Sequence, residues 1–139
     1  MFKNDRQFLV RMKKRLGTNA QAKVKRSMGK SANLVRNEAV QSIIQNARTG
    51  PVVTRRGIRM NISAAGDPPA SDTGFLASQI SSEVKTRGSE VIGIVTSAAP
   101  YSAPLEFGTT NMAERPFLQP ALRKSKDKIE AIFKREGII

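Results

Sequence analysis

Val91-Ile92-Gly93-Ile94-Val95-Thr96 is the stretch that decides the fold. Val91, Gly93 and Val95 alternate with Ile92 and Ile94, and both sets contain apolar side chains. That period predicts a strand, and apolar residues on both faces predict a central one, covered on at least one side. Upstream, Gln79 to Thr86 reads as extended, joined to it by a turn at Arg87-Gly88-Ser89-Glu90. Downstream, a further strand is expected over about Ala103–Phe107.

Helical spacing flanks these strands. Val24, Met28, Ala32, Val35, Ala39, Ile43 and Ala47 recur at i+3 or i+4, which predicts a long amphipathic helix from about 19 to 48. Gly17 followed by Thr18 and Asn19 reads as a helix stop and a new N-cap. Before it, Phe8, Met12 and Leu16 lie at i+4 and predict a short basic helix. At the other end a helix is expected to open between Pro116 and Pro120, where proline fits a first turn. Its stripe is Leu118, Leu122, Ser125, Ile129, Ile132 and Glu136, with Gly137 placed to end it. Asp72-Thr73 reads as the cap of a short helix in which Leu76 and Ile80 share a face.

Between these segments, residues 49–71 are rich in Gly and Pro and read as a mobile loop or a hairpin. Val52-Val53 and the alternating Ile58, Met60 and Ile62 are its candidate strands. The whole is an α+β chain: a small antiparallel sheet of three to four strands packed against a long N-terminal helix and a C-terminal helix. Residues 1–139 are read as one domain, with a basic helical segment over 1–48, the loop or hairpin, and an α+β body over 72–139. So small a sheet leaves an open edge, which in a ring-forming protein a neighbouring subunit would pair.

Charge is the outlier in composition. The chain has 24 Lys and Arg against 11 Asp and Glu, a net +13 and a pI near 11.0. Most of the excess lies in the first 36 residues, where Lys3, Arg6, Arg11, Lys13, Lys14, Arg15, Lys23, Lys25, Arg26, Lys30 and Arg36 face only Asp5. Such a surface attracts polyanions. Nucleic acid and an acidic protein face are the leading partners; a membrane ranks third, because few bulky residues line the first helix. Phe2 and Phe8 are the aromatics near this segment, which argues against base stacking and for non-specific duplex contact.

With no Cys and no His, disulfides, thiolate metal sites and the commonest general base are excluded. Asp67, Asp72, Glu106 and Glu114 supply the acids for a candidate carboxylate pair, but neighbouring prolines and glycines explain them structurally. The chain is read as no enzyme, with no cofactor, no metal and no small-molecule substrate. Phe8-Leu9-Val10 is too short for a signal-peptide core, and no apolar run approaches the roughly 20 residues of a membrane span.

Two motifs remain. The first is Gly66-Asp67-Pro68-Pro69 leading to Asp72-Thr73-Gly74-Phe75-Leu76 and Ile80; the second is Tyr101, Glu106-Phe107-Gly108-Thr109, Arg115-Pro116-Phe117 and Pro120-Ala121. The second reads at least as a strand end in which glycine supplies a special backbone angle. A sharper reading pairs Glu106 with Arg115, or with Arg59 or another arginine, to fix the 108–115 loop or a subunit interface.

Over residues 66–122 the chain closely resembles the minor tail and neck proteins of tailed phages and prophages (head–tail joining, tail-completion "tail-component" proteins). Residues 1–60 match that pattern only in being helical and basic. The resemblance implies a virion protein at the head–tail junction or tail, assembled in the host cytoplasm as a homo-oligomeric ring beside connector or tail proteins. It also implies a lumen through which double-stranded DNA passes. It transfers no catalytic residues. Its expected interface or loop-fixing residues are Glu106, Phe107, Gly108, Thr109, Arg115 and Phe117. The DNA- or partner-facing basic set runs from Lys3 to Arg26: Lys3, Arg6, Arg11, Lys13, Lys14, Arg15, Lys23, Lys25 and Arg26. A tail terminator that caps the tail tube and a small non-specific DNA-binding architectural protein are the alternatives. On this reading Glu106→Ala is expected to impair assembly more than folding.

Overall fold

The computed structural model describes residues 10–13, 18–46, 50–62, 64–69 and 74–139. Its elements in chain order are β1 (Val10–Lys13), α1 (Thr18–Ile44), β2 (Val52–Arg55), β3 (Ile58–Asn61), α2 (Phe75–Ser78), β4 (Ile80–Arg87), β5 (Glu90–Ser97), α3 (Ser102–Phe107) and α4 (Leu118–Arg135). The architecture is α+β, with a long N-terminal and a long C-terminal helix and antiparallel sheets.

The helix α1 organises the rest. Met28, Ala32, Val35, Ala39 and Ile43 are buried, as the i+3/i+4 spacing requires, and Val24 packs against the same cluster. Ala47 lies outside the described residues. One side of α1 meets β4 and β5, and another meets α4, so a single apolar cluster joins the sheet to both helices. Along α4 the buried positions are Leu118, Ala121, Ser125, Ile129 and Phe133. The deep position in its last turn is thus Phe133, with Ile132 half-buried beside it. Ion pairs Lys30–Glu136 (3.5 Å) and Lys124–Glu38 (3.8 Å) bridge the two helices and show that they run antiparallel. On the exposed face of α4, a hydrogen bond from Lys134 and its positive charge hold the Glu130 carboxyl below the usual carboxylate range. Gly137, at φ 73°, ends α4 with bonds from Ile138 N–H to Phe133 O (3.0 Å) and Gly137 N–H to Lys134 O (3.0 Å). That pair of bonds is the Schellman arrangement.

The main sheet has the order β1-β5-β4, so β5 is the central strand. Val91, Gly93 and Val95 are buried and line up with Thr86, Val84 and Ser82 of β4. Gly93 allows α1 to come close. A Cβ there would lie 2.9 Å from Met28 Sδ and 3.5 Å from Ala32 Cβ. The outward row of β4 is Ser81, Glu83, Lys85 and Arg87, all exposed, and charges of this kind discourage edge-to-edge pairing.

Two expectations are corrected. Residues 10–13 form a strand where the Phe8, Met12, Leu16 spacing predicts a helix. Val10-Arg11-Met12-Lys13 also alternates with period 2, and it pairs with β5 from Val10↔Gly93 to Lys13↔Glu90. Pairing supplies backbone partners to an edge of β5 that local helix spacing would leave open. The segment Ser102–Phe107 is a helix, not a strand. Pro104 stands in its first turn, where a missing N–H removes no helix bond. Leu105 N–H then reaches Tyr101 O at 3.2 Å, and Gly108 N–H reaches Pro104 O at 2.8 Å.

Residues 52–61 resolve the loop-or-hairpin alternative as a hairpin. β2 and β3 pair from Val52↔Asn61 to Arg55↔Ile58, around Arg56 (φ 52°) and Gly57 (φ 78°). Two successive positive φ values are the signature of the tight hairpin turn that matches strand twist. The bond Asn46 Nδ2–H to Pro68 O (2.7 Å) ties the end of α1 to the segment that follows this hairpin.

Gly93→Val is expected to lower stability by about 1–3 kcal/mol through overpacking against Met28. Thermal unfolding followed by circular dichroism checks this; an unchanged melting temperature would mean that α1 does not sit tightly on β5.

Candidate functional site

The second sequence motif becomes a junction between α3 and α4. Glu106 projects from α3 and is only 3% exposed. Its Oε2 accepts the N–H of Phe117 (2.8 Å) and of Leu118 (3.1 Å), and its Oε1 accepts the N–H of Gln119 (2.8 Å). The first turn of a helix has backbone N–H groups with no partner inside the helix. In α4 the next residue, Pro120, has no N–H at all. The cap residue Phe117 has no polar side chain, so the carboxylate arrives from 11 to 13 residues upstream. Its negative charge also suits the positive end of the helix dipole. Both oxygens go to backbone donors, so the expected pairing with Arg115 or Arg59 is replaced by helix capping.

The intervening loop is held at several points. Gly108 has φ 74° and ψ 174°, a region open almost only to glycine. A Cβ there would lie 2.9 Å from both Glu114 N and Met112 O. Thr109 and Met112 close a tight turn, with Thr109 N–H to Met112 O at 2.8 Å. Arg115 N–H bonds Leu105 O at 2.6 Å, fastening the loop to α3. Gly66 N–H bonds Glu114 O at 2.8 Å, which brings the two sequence motifs together. Their separation of some 40 residues in sequence therefore closes through one backbone contact.

The six expected interface or loop-fixing residues divide by exposure. Glu106 and Phe117 are buried, Gly108 and Arg115 are half-buried, and Phe107 and Thr109 are exposed. Of the basic set, Lys23, Lys25 and Arg26 are exposed on the second and third turns of α1. Arg11 and Lys13 belong to β1, and Lys3, Arg6, Lys14 and Arg15 lie outside the described residues, as does the expected Asp72-Thr73 cap. The first described residue at that cap is Gly74, in the left-handed conformation. Among the described residues no cluster of Asp and Glu is arranged to hold a metal, and no helix is long and apolar enough to cross a membrane.

Sequence reasoning missed two constraints here. Nothing in the local pattern marks Glu106 as the cap of a distant helix, although an apolar Phe117 before a Pro-containing first turn signals that some outside acceptor is needed. The strap from Gly66 to Glu114 has no sequence signal.

A buried junction with an exposed rim defines a protein whose motif residues shape a surface. The model of the HK97-gp10-like family, described as "Bacteriophage HK97-gp10, putative tail-component", matches residues 6–108, that is 103 of 139. The chain belongs to this family of phage tail components. The match takes in the N-terminal half, beyond the motif stretch, and stops at Gly108, before Arg115-Pro116-Phe117. No curated protein matches the chain, and no solved structure does.

Burial revises the expected behaviour of Glu106. Removing its carboxylate strands buried N–H donors, so Glu106→Ala should destabilise the isolated subunit by on the order of 3 kcal/mol. Glu106→Gln keeps one acceptor oxygen and should fall between it and the parent. Urea unfolding of the three proteins measures this, and equal midpoints would contradict the capping role. Gly108→Ala is expected to cost about 1–3 kcal/mol from its backbone angle, with further loss from the 2.9 Å contacts. A variant that melts like the parent would mean that the loop has another conformation.

Proposed function

We propose that this chain is a structural virion protein of a tailed bacteriophage or prophage that joins head to tail, or completes the tail tube, as a ring of identical subunits. Membership of a phage tail-component family carries the reading. The subunit's own design supports it. The exposed Phe107 and Thr109 form a contact rim, and Glu106, Gly108, Arg115 and Phe117 hold that rim in place. Its partners would be copies of itself and neighbouring connector or tail proteins in the virion, after assembly in the host cytoplasm. No membrane, cofactor or small-molecule substrate enters this reading, and the chain's role is structural, not catalytic. A tail terminator that caps the tube is the nearest variant of the same reading.

The basic residues have a place in it. Lys23, Lys25 and Arg26 are solvent-facing and continue the cationic segment that contains Lys3, Arg6, Arg11, Lys13, Lys14 and Arg15. Facing the lumen, they would hold double-stranded DNA through its phosphates, without base readout. The net charge of +13 also favours a second reading, a free architectural protein that coats DNA.

The mass of the purified protein by light scattering, at low and moderate salt, with and without duplex DNA, separates the two. A closed ring, or a monomer indifferent to DNA, is the expected result. A monomer or dimer that coats DNA with a steep salt dependence would overturn it. Moderate salt should favour the ring, because subunits of like charge repel less once the Debye length falls to about 10 Å. Replacing Lys23, Lys25 and Arg26 together by Glu should weaken DNA or partner binding and leave the melting temperature within about 2 °C, since exposed substitutions usually cost little. Unaltered binding would remove these three from the contact.

A further inference from the structure

Among the described residues the hairpin β2–β3 packs mainly on itself. Neither Val52, Val53, Ile58 nor Ile62 belongs to the apolar core, and Val52 is 51% and Ile58 61% exposed. A two-stranded hairpin alone is marginal in water and needs a surface to cover its apolar residues. Between Glu38 and Asp67 the chain has no acid, while the hairpin contains Arg55, Arg56 and Arg59. The element is thus apolar and cationic at once.

A complementary surface exists around α3. The rings of Phe75 and Tyr101 lie 6.2 Å apart at 43°, and both are exposed. Glu114 and Asp67 are exposed, their segments joined by the bond from Gly66 N–H to Glu114 O and tied to α3, whose first turn begins at Tyr101, through Arg115 N–H and Leu105 O. The ion pairs among the described residues take up Glu38, Glu83, Glu130 and Glu136, and Glu106 is spent on backbone. Asp67 and Glu114, like Glu90 and Asp127, belong to none of these pairs, and of the four these two lie in segments joined by the backbone strap. This region therefore offers aromatic area with negative charge, the converse of the hairpin.

We infer that the hairpin of one copy docks on the α3 surface of the next, with Ile58 against Phe75 and Tyr101, and Arg56 and Arg59 against Asp67 and Glu114. This rests on the ring reading and names the contact that builds it. The two surfaces differ, so the contact is head-to-tail and closes a ring when the rotation allows.

The chain has no native cysteine, so engineered pairs report without interference. Full-length Ile58→Cys and Tyr101→Cys proteins are mixed and oxidised, and each is oxidised alone. The expected result is a mixed disulfide dimer several-fold above either homodimer. A dominant Ile58→Cys homodimer would overturn the inference in favour of tip-to-tip pairing. In parallel, light scattering follows assembly of R56E/R59E, of D67R/E114R and of the four-fold variant. Each pair should lose assembly by tenfold or more in concentration required, and the four-fold variant should regain most of it. All three lie on exposed positions, and melting curves confirm that each is folded. Rings that form normally in all variants, without cross-link, would overturn this contact and leave the ring reading standing. A parent protein that gives no cross-link overturns this contact, and one that also coats DNA as a monomer or dimer with a steep salt dependence overturns both.

Discussion

One carboxylate fixes the relation between α3 and α4. The N-terminus of α4 is buried, its cap residue is Phe117 and its first turn contains Pro120, so no nearby side chain can satisfy its free N–H groups. Glu106 does so from another helix, with three bonds of 2.8–3.1 Å. Once that end is pinned, the chain between must double back within a few residues. Gly108 makes the turn in a conformation that other residues avoid, and Glu114 then meets Gly66. The exposed rim is a consequence of this buried arrangement, because Phe107 and Thr109 flank the pinned residues.

The helices were legible because burial follows their period. Every apolar residue of the α1 stripe from Val24 to Ile43 packs in or on the core, and Gly137 ends α4 as its position implies. The central strand was legible for the same reason: its two apolar faces left it no other place in a sheet. Where local pattern and tertiary demand disagreed, the reading failed. Val10-Arg11-Met12-Lys13 satisfies both a helical spacing and a period of 2, and the open edge of β5 decides between them. Ser102–Phe107 alternates acceptably as a strand, which would also set Glu106 and Phe107 on opposite faces, yet its backbone closes a helix with Leu105 N–H to Tyr101 O and Gly108 N–H to Pro104 O. The importance of Glu106 was legible, but its partner was not. A carboxylate near several arginines suggests an ion pair, and backbone N–H donors leave no mark in a sequence.

Charge sets the terms on which such a subunit can meet a copy of itself. At +13, two subunits repel at long range, and an isologous contact would make matters worse by placing each cationic patch against its twin. In the proposed ring, a hairpin-to-hairpin contact would bring Arg56 and Arg59 of both copies together. A head-to-tail contact sets unlike surfaces against each other, and its attraction acts within the short range that salt leaves unscreened. Asp67 and Glu114, two of the four described acids outside the subunit's ion pairs and helix cap, gain meaning from this: the backbone strap that joins the two motifs brings their segments together. In the proposed ring, acids at the contact would offset the repulsion between basic subunits, and the bond from Gly66 N–H to Glu114 O brings the segments that carry Asp67 and Glu114 together.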